Sequence, residues 1–144
     1  MIRIPVMPID SGYNVAINTA ERANMEPSWD DGPVMTIYTG GTTGQPKGVL
    51  LTKQNIIANA VNTIISWELT KEDITLTSLP LFHTGGFNSL TMPILMAGGT
   101  VVFTEQFNEE EACRYLNEYG CTIVLFVPTM YQMITSCDYF KKHD

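Results

Sequence analysis

Between Tyr38 and Gly48 the chain reads Tyr-Thr-Gly-Gly-Thr-Thr-Gly-Gln-Pro-Lys-Gly, and no other run constrains its fold and chemistry as much. These eleven residues contain four glycines, three threonines and one lysine, with no carboxylate. Such a composition suits a phosphate chain. Glycines let backbone N–H groups turn toward an anion with no Cβ in the way. Threonine hydroxyls add short donors, and Lys47 adds charge. The plain alternative is a Gly/Thr-rich surface turn. The flanks favour a built element, because Val34-Met35-Thr36-Ile37-Tyr38 alternates like a strand and Val49-Leu50-Leu51 resumes the apolar pattern after Gly48. A glycine loop of this length between two short strands exceeds what a simple hairpin requires.

The loop is not a Walker A motif, which places lysine after its second glycine and a Ser or Thr after that. Lys47 instead lies between Pro46 and Gly48. The spacing Gly-Gly-x-x-Gly also departs from the G-x-G-x-x-G turn of dinucleotide folds. The segment from Thr39 to Gly48, with its T-x-G-x-P-K-G ending, resembles the signature loop of the AMP-forming, or adenylating, synthetase superfamily. Gly40 stands where that pattern usually has Ser. A second stretch, Leu79-Pro80-Leu81-Phe82-His83-Thr84-Gly85-Gly86-Phe87, is similar to the L-P-x-F-H-x-x-G segment of the acyl-CoA synthetase branch.

The resemblance implies ATP-dependent activation of a carboxylic acid to an acyl-adenylate, followed by transfer to CoA. It assigns the ATP phosphates to Thr39, Gly40, Gly41, Thr42, Thr43, Gly44 and Lys47, with Lys47 stabilising the leaving pyrophosphate. It puts His83, Gly85, Gly86 and Phe87 at the acyl pocket, His83 as a gate. ATP with Mg2+ and CoA are the implied cofactor and co-substrate, and no metal ligand is assigned within the chain. Read without the family, a lone histidine in an apolar stretch is more often a hydrogen-bonded packing residue. The small side chains of Gly85 and Gly86 suggest room for a chain-like acyl group.

Other features set limits. The 144 residues make one domain at most. Net charge is −7, from 15 carboxylates against 8 Lys and Arg, which speaks against nucleic acid or an anionic membrane as partner. No Asp or Glu occurs between Asp31 and Glu68, the window that holds Lys47 and Lys53. From Ile74 to Thr104 His83 is the only ionisable side chain of ordinary charge, yet prolines and polar residues keep that stretch from reading as a membrane span. With no signal-peptide pattern legible, a cytoplasmic location is expected. Cys113, Cys121 and Cys137 are odd in number and lack C-x-x-C spacing, so they read as reduced residues rather than a disulfide framework or zinc site.

The expected fold class is α/β: alternating strand–helix units forming a mostly parallel sheet with helices on both faces, a partial N-terminal domain of an adenylating enzyme. Residues 1–33 read as a linker or incomplete leading segment, with weak helical character from Val15 to Met25. Residues 34–137 read as the partial domain with its phosphate loop at 38–48, and 138–144 as a charged tail. Thr52 is a candidate N-cap for a helix bearing Ile56, Ala60 and Ile64 on one face. Ile74–Leu79 reads as a strand, Asn88–Met96 as a helix that Pro93 would kink unless its first turn starts later, and Thr100–Phe103 as a strand after Gly98-Gly99. Asn108 with Glu111 predicts a capping box, and Gly120 a helix stop. The apolar run Thr122–Val127 predicts a central parallel strand, and Pro128 opens a last helix.

The family's later Y-G-x-T-E motif, whose Glu holds magnesium, has no counterpart after Pro128, nor has the lysine that activates the carboxylate. The 144 residues alone are therefore expected to be inactive, and exposed apolar surface is expected to promote self-association. Two alternatives stay open: a peptide-synthetase or luciferase-type adenylating enzyme, or a non-catalytic truncated nucleotide-binding or assembly fragment. Peptide-synthetase domains usually carry an F-D-x-S segment where Leu81-Phe82-His83-Thr84 stands, which favours the CoA ligase.

Overall fold

A computed structural model describes residues 32–40 and 44–143, which belong to one compact unit. The leading segment before Gly32, including the weak helix expected at Val15–Met25, lies outside the described residues, as do Gly41, Thr42 and Thr43.

Strands β1 (Pro33–Thr39) and β2 (Lys47–Thr52) pair antiparallel in a two-stranded sheet of their own. The glycine loop thus joins a hairpin. Three further strands form a parallel sheet in the order β4-β3-β5: β3 is Ile74–Thr77, β4 Thr100–Phe103 and β5 Ile123–Val124. The α/β class with a mostly parallel sheet holds, and the hairpin stands apart from that sheet.

Side chains alternate across the parallel sheet as the pleat requires. Leu76, Val102 and Val124 join one core cluster with Ala112, Cys113, Phe126, Met130 and Ile134. Val101, Ile123 and Leu125 join the other, around Leu69, Leu90 and Ile94. Helices α4 (Glu109–Glu118) and α5 (Pro128–Ser136) supply the first cluster. The second draws on α1 (Lys53–Trp67) and on a helical run of three parts: the short α2 (Thr84–Gly86), a π-helical turn Phe87–Thr91, and α3 (Met92–Ala97).

Strand β5 corrects one expectation. The run Thr122–Val127 is not the central strand; β3 is, and only Ile123 and Val124 of that run pair, at the edge. The run is apolar because both its faces are covered, with Val124 and Phe126 going to one cluster and Ile123 and Leu125 to the other. Burial on two faces gives an unbroken hydrophobic pattern wherever a strand lies in the order.

The helix ends follow local chemistry. Thr52 Oγ1 accepts from Asn55 N at 3.3 Å while Asn55 Oδ1 accepts from Thr52 N at 3.0 Å, a complete capping box. Asn108 Oδ1 accepts from Glu111 N at 3.0 Å, but the Glu111 carboxylate lies 3.7 Å from Arg114 and the return bond is not made. Gly98 (φ +87) ends α3 and Gly120 (φ +60) follows α4, both in the left-handed region that glycine enters at no steric cost. Pro93 does not interrupt the expected helix at its middle, because α3 starts at Met92. It sits in the first turn of α3, where a missing N–H costs nothing, and the π-helical turn before it absorbs the extra residue. The helical run therefore starts at Thr84, earlier than the expected Asn88. The last residues also fold, as α6 (Asp138–His143), with Asp138 N and Tyr139 N donating to the Glu110 carboxylate at 2.9 and 3.2 Å.

Candidate active site

The hairpin ladder closes the glycine loop at its base. Thr39 and Lys47 are register partners, and Thr39 Oγ1 donates to the Lys47 carbonyl oxygen at 3.4 Å. Gly44 is at φ +81, a conformation that suits glycine, and a Cβ on Gly40 or Gly44 would meet nothing within 4 Å. Gly48 is different. It pairs with Tyr38, and a Cβ there would come within 3.1 Å of Thr36 Cγ2 and 3.5 Å of the Tyr38 ring, so its hydrogen gives the cross-strand ring room. Residues Gly44 to Gly48, Lys47 included, are exposed.

The segment after β3 is tightly tied. His83 is exposed and serves as N-cap of α2: its Nδ1 accepts from Gly85 N at 3.0 Å. An accepting Nδ1 carries no proton, so a neutral ring holds its proton on Nε2. His83 is therefore not a core packing residue. Gly86 is buried, and a Cβ on it would run into the Pro80 carbonyl and lie 2.6 Å from the Leu79 oxygen. The space its missing side chain leaves is filled by backbone. Thr91 Oγ1 donates to the Gly86 oxygen at 2.6 Å and lies 3.0 Å from Thr77 Oγ1, which fastens this turn to the end of β3. Phe87 is partly buried.

Three hollows surround these segments. A depression of about 210 Å3 is lined by Met35 to Tyr38 of β1, the strand that leads into the glycine loop, together with Leu81 and Phe82. A larger one, about 650 Å3, opens at the carboxyl ends of β3 and β4 between residues 77–82 and 103–107. The third, beside Gly85 and Gly86, is about 10 Å3, room for about one water, and the buried Thr75 Oγ1 on its wall has no hydrogen-bond partner. Phe82 is 82% exposed at the rim of the two larger hollows.

The segment Phe103–Phe107 lines the largest of these three hollows, and beyond the strand end at Phe103 no sequence pattern singles it out. The available signal is that ligands of parallel sheets bind beyond strand carboxyl ends, and β4 ends at Phe103. Thr104 Oγ1 donates to Ser78 Oγ at 2.9 Å, bridging the loops that follow β4 and β3. Among the described residues no three His, Cys, Asp or Glu side chains gather to hold a metal ion. No described helix is long and apolar enough to cross a membrane.

Comparison with known proteins agrees with both motifs. Indoleacetate–CoA ligase of Aromatoleum aromaticum is 42% identical over 102 residues, covering 71% of this chain and 20% of that protein. The mitochondrial malonate–CoA ligase of Bos taurus is 37% identical over 146 aligned positions, 97% of this chain and 24% of the relative. The crystal structure of ATP-bound MatB from Rhodopseudomonas palustris superposes with a TM-score of 0.75 at 26% identity, over 90% of this chain and 25% of that one. The chain thus spans about a quarter or less of the length of these relatives. The AMP-binding enzyme model matches residues 6–144, and the chain belongs to that family, in its acyl-CoA ligase branch.

Proposed function

We propose that this chain serves the ATP-dependent activation of a carboxylic acid and its transfer to CoA, contributing the phosphate loop and one wall of the acyl pocket. The observation that carries this reading is the pairing of Thr39 with Lys47 across the hairpin, which closes the glycine loop at the end of a strand whose residues Met35 to Tyr38 share a hollow with Leu81 and Phe82. In the first step a carboxylate oxygen attacks the α-phosphorus of ATP. The bond to the β-phosphate oxygen breaks, leaving acyl-AMP and pyrophosphate. Charge grows on the pyrophosphate, so donors already aimed there lower the barrier. In this proposal the hydroxyls of Thr39, Thr42 and Thr43, the backbone of Gly40, Gly41 and Gly44, and the Lys47 ammonium donate to the pyrophosphate once ATP is bound. In the second step the CoA sulfur attacks the acyl carbon and AMP leaves. Mg2+ accompanies the triphosphate, and no ligand to it is assigned among the described residues.

His83 and Phe87 face the acyl side in this reading, with Gly85 and Gly86 shaping the turn that presents them. The Leu81-Phe82-His83-Thr84 segment favours a CoA ligase over a peptide-synthetase domain. Carboxylate-dependent exchange of pyrophosphate into ATP tests the reading. The 144 residues alone are expected to give none. In a complete enzyme carrying this chain, Lys47→Ala is expected to lower exchange by about ten- to a hundred-fold, the scale of one charge-assisted hydrogen bond. An unchanged rate would remove Lys47 from the phosphates.

The exposed apolar side chains of α1, Ile57, Val61, Ile65 and Trp67, support self-association of the isolated chain as part of this proposal.

A further inference from the structure

The cysteines take no part in the reaction above. Cys113 lies on α4, and Cys137 is the single residue between α5 and α6, with extended backbone (φ −72, ψ 158). Both are buried in the cluster that covers Leu76, at 5% and 7% exposure. Their Sγ atoms lie 3.3 Å apart although the residues are 24 apart in sequence. Around them, Phe140 N–H approaches Cys137 Sγ at 3.5 Å, and the Ile134 oxygen is 4.0 Å from Cys113 Sγ. Burial, the contact with Cys137, and the carboxylates of Glu110 and Glu109 push the Cys113 thiol up to about 12. At neutral pH the Cys113 thiol is therefore protonated, and the two cysteines are free, with their sulfurs in contact.

We propose that Cys113 and Cys137 form a modification site, a dithiol that a low-molecular-weight disulfide oxidises to an intramolecular disulfide joining α4 to the α5–α6 junction. One protein thiol loses its proton, and its thiolate attacks a sulfur of the reagent. The reagent S–S bond breaks, and the expelled thiolate takes up a proton. The second protein thiol then loses its proton and attacks the protein sulfur of the mixed disulfide, expelling the other half of the reagent, which is protonated in turn. Two protein S–H bonds are lost and one S–S bond forms, while the reagent is reduced to two thiols. The geometry favours this pair. A disulfide requires sulfurs that close to about 2.05 Å without backbone rearrangement, these two already lie 3.3 Å apart, and Cys137 has extended backbone at the end of α5, its N–H and carbonyl bonded to Ile134 and Lys141. Access requires the short α6 to lift, so the reaction is slow in the native state. Cys121 stands apart, half-buried, with its Sγ 3.9 Å from the Tyr115 oxygen.

The test treats the full 144-residue chain with oxidised glutathione under native conditions, alkylates the remaining thiols, and reads intact mass and linked peptides. The expected result is loss of the mass of two hydrogens, a Cys113–Cys137 peptide link, Cys121 alkylated, and a melting temperature that rises and returns with dithiothreitol. Three alkylated cysteines, a link through Cys121, or a mixed disulfide that never resolves would overturn the proposal. The same oxidation in urea supplies the control that needs no variant. The preference for the Cys113–Cys137 pairing is expected to disappear there, and its persistence would show that folded geometry is not the cause.

Discussion

His83 Nδ1 accepts a hydrogen bond from the backbone N–H of Gly85 at 3.0 Å, so the histidine of the second motif caps the turn it precedes. Capping and gating can be separated by substitution. His83→Ala removes both and is expected to cost about 1 kcal/mol of stability. His83→Asn keeps a side-chain acceptor at the cap and is expected to recover most of that loss. In a complete enzyme both variants should change acyl preference, read as kcat/KM across a series of carboxylates, with ATP affinity little altered. Recovery of the substrate profile by Asn would reduce His83 to a cap.

Gly86→Ala forces a methyl group against the carbonyls of Pro80 and Leu79. Backbone cannot yield as a flexible side chain does, so a loss of about 1–3 kcal/mol is expected. Gly40→Ala, with nothing within 4 Å of the added Cβ, is expected to leave stability within about 0.5 kcal/mol. Urea denaturation of the two variants checks the contrast. Equal midpoints would mean that the turn around Pro80 is not packed as described.

Asp73 joins the starts of β3 and β5. Its carboxylate accepts from Thr122 Oγ1 at 2.7 Å and from Thr70 N at 2.7 Å, and these bonds, Thr122 first, hold its pKa below the usual 3.8. A lowered folded-state value means that the stabilisation is complete above about pH 4, near the unfolded value, and fades as pH falls through the folded one. The carboxylate is solvent-accessible, so the effect is small. Asp73→Asn is expected to flatten part of the acid limb of melting temperature against pH and to leave its slope near pH 7 unchanged. An acid limb identical to the parent's would contradict the assignment.

On α1 the Ile65 side chain is 71% exposed, with Ile57, Val61 and Trp67 also open to solvent. The isolated chain is expected to bind a hydrophobic dye and to self-associate, and Ile65→Ser should weaken both. A monodisperse monomer by light scattering, without dye binding, would be the contrary outcome.

The sequence by itself determined the local grammar of this protein. The caps at Thr52 and Asn108, the helix-ending glycines at 98 and 120, the proline opening of α5, and the glycine loop with Lys47 were all legible. Each depends on groups within about one helical turn or one strand pair of the residue concerned, so composition and spacing suffice to read it. Tertiary structure alone decided that β1 and β2 close on each other, that β3 and not β5 is central in the parallel sheet described, and that Phe103–Phe107 lines the hollow at the carboxyl ends of β3 and β4. It also decided that Gly86 is occupied from outside by backbone and that Cys113 touches Cys137. An apolar run has the same pattern in a central strand as in an edge strand covered on both faces, and a glycine reads the same whether its space holds ligand or carbonyl. Only the close packing of segments distant in sequence separates those cases.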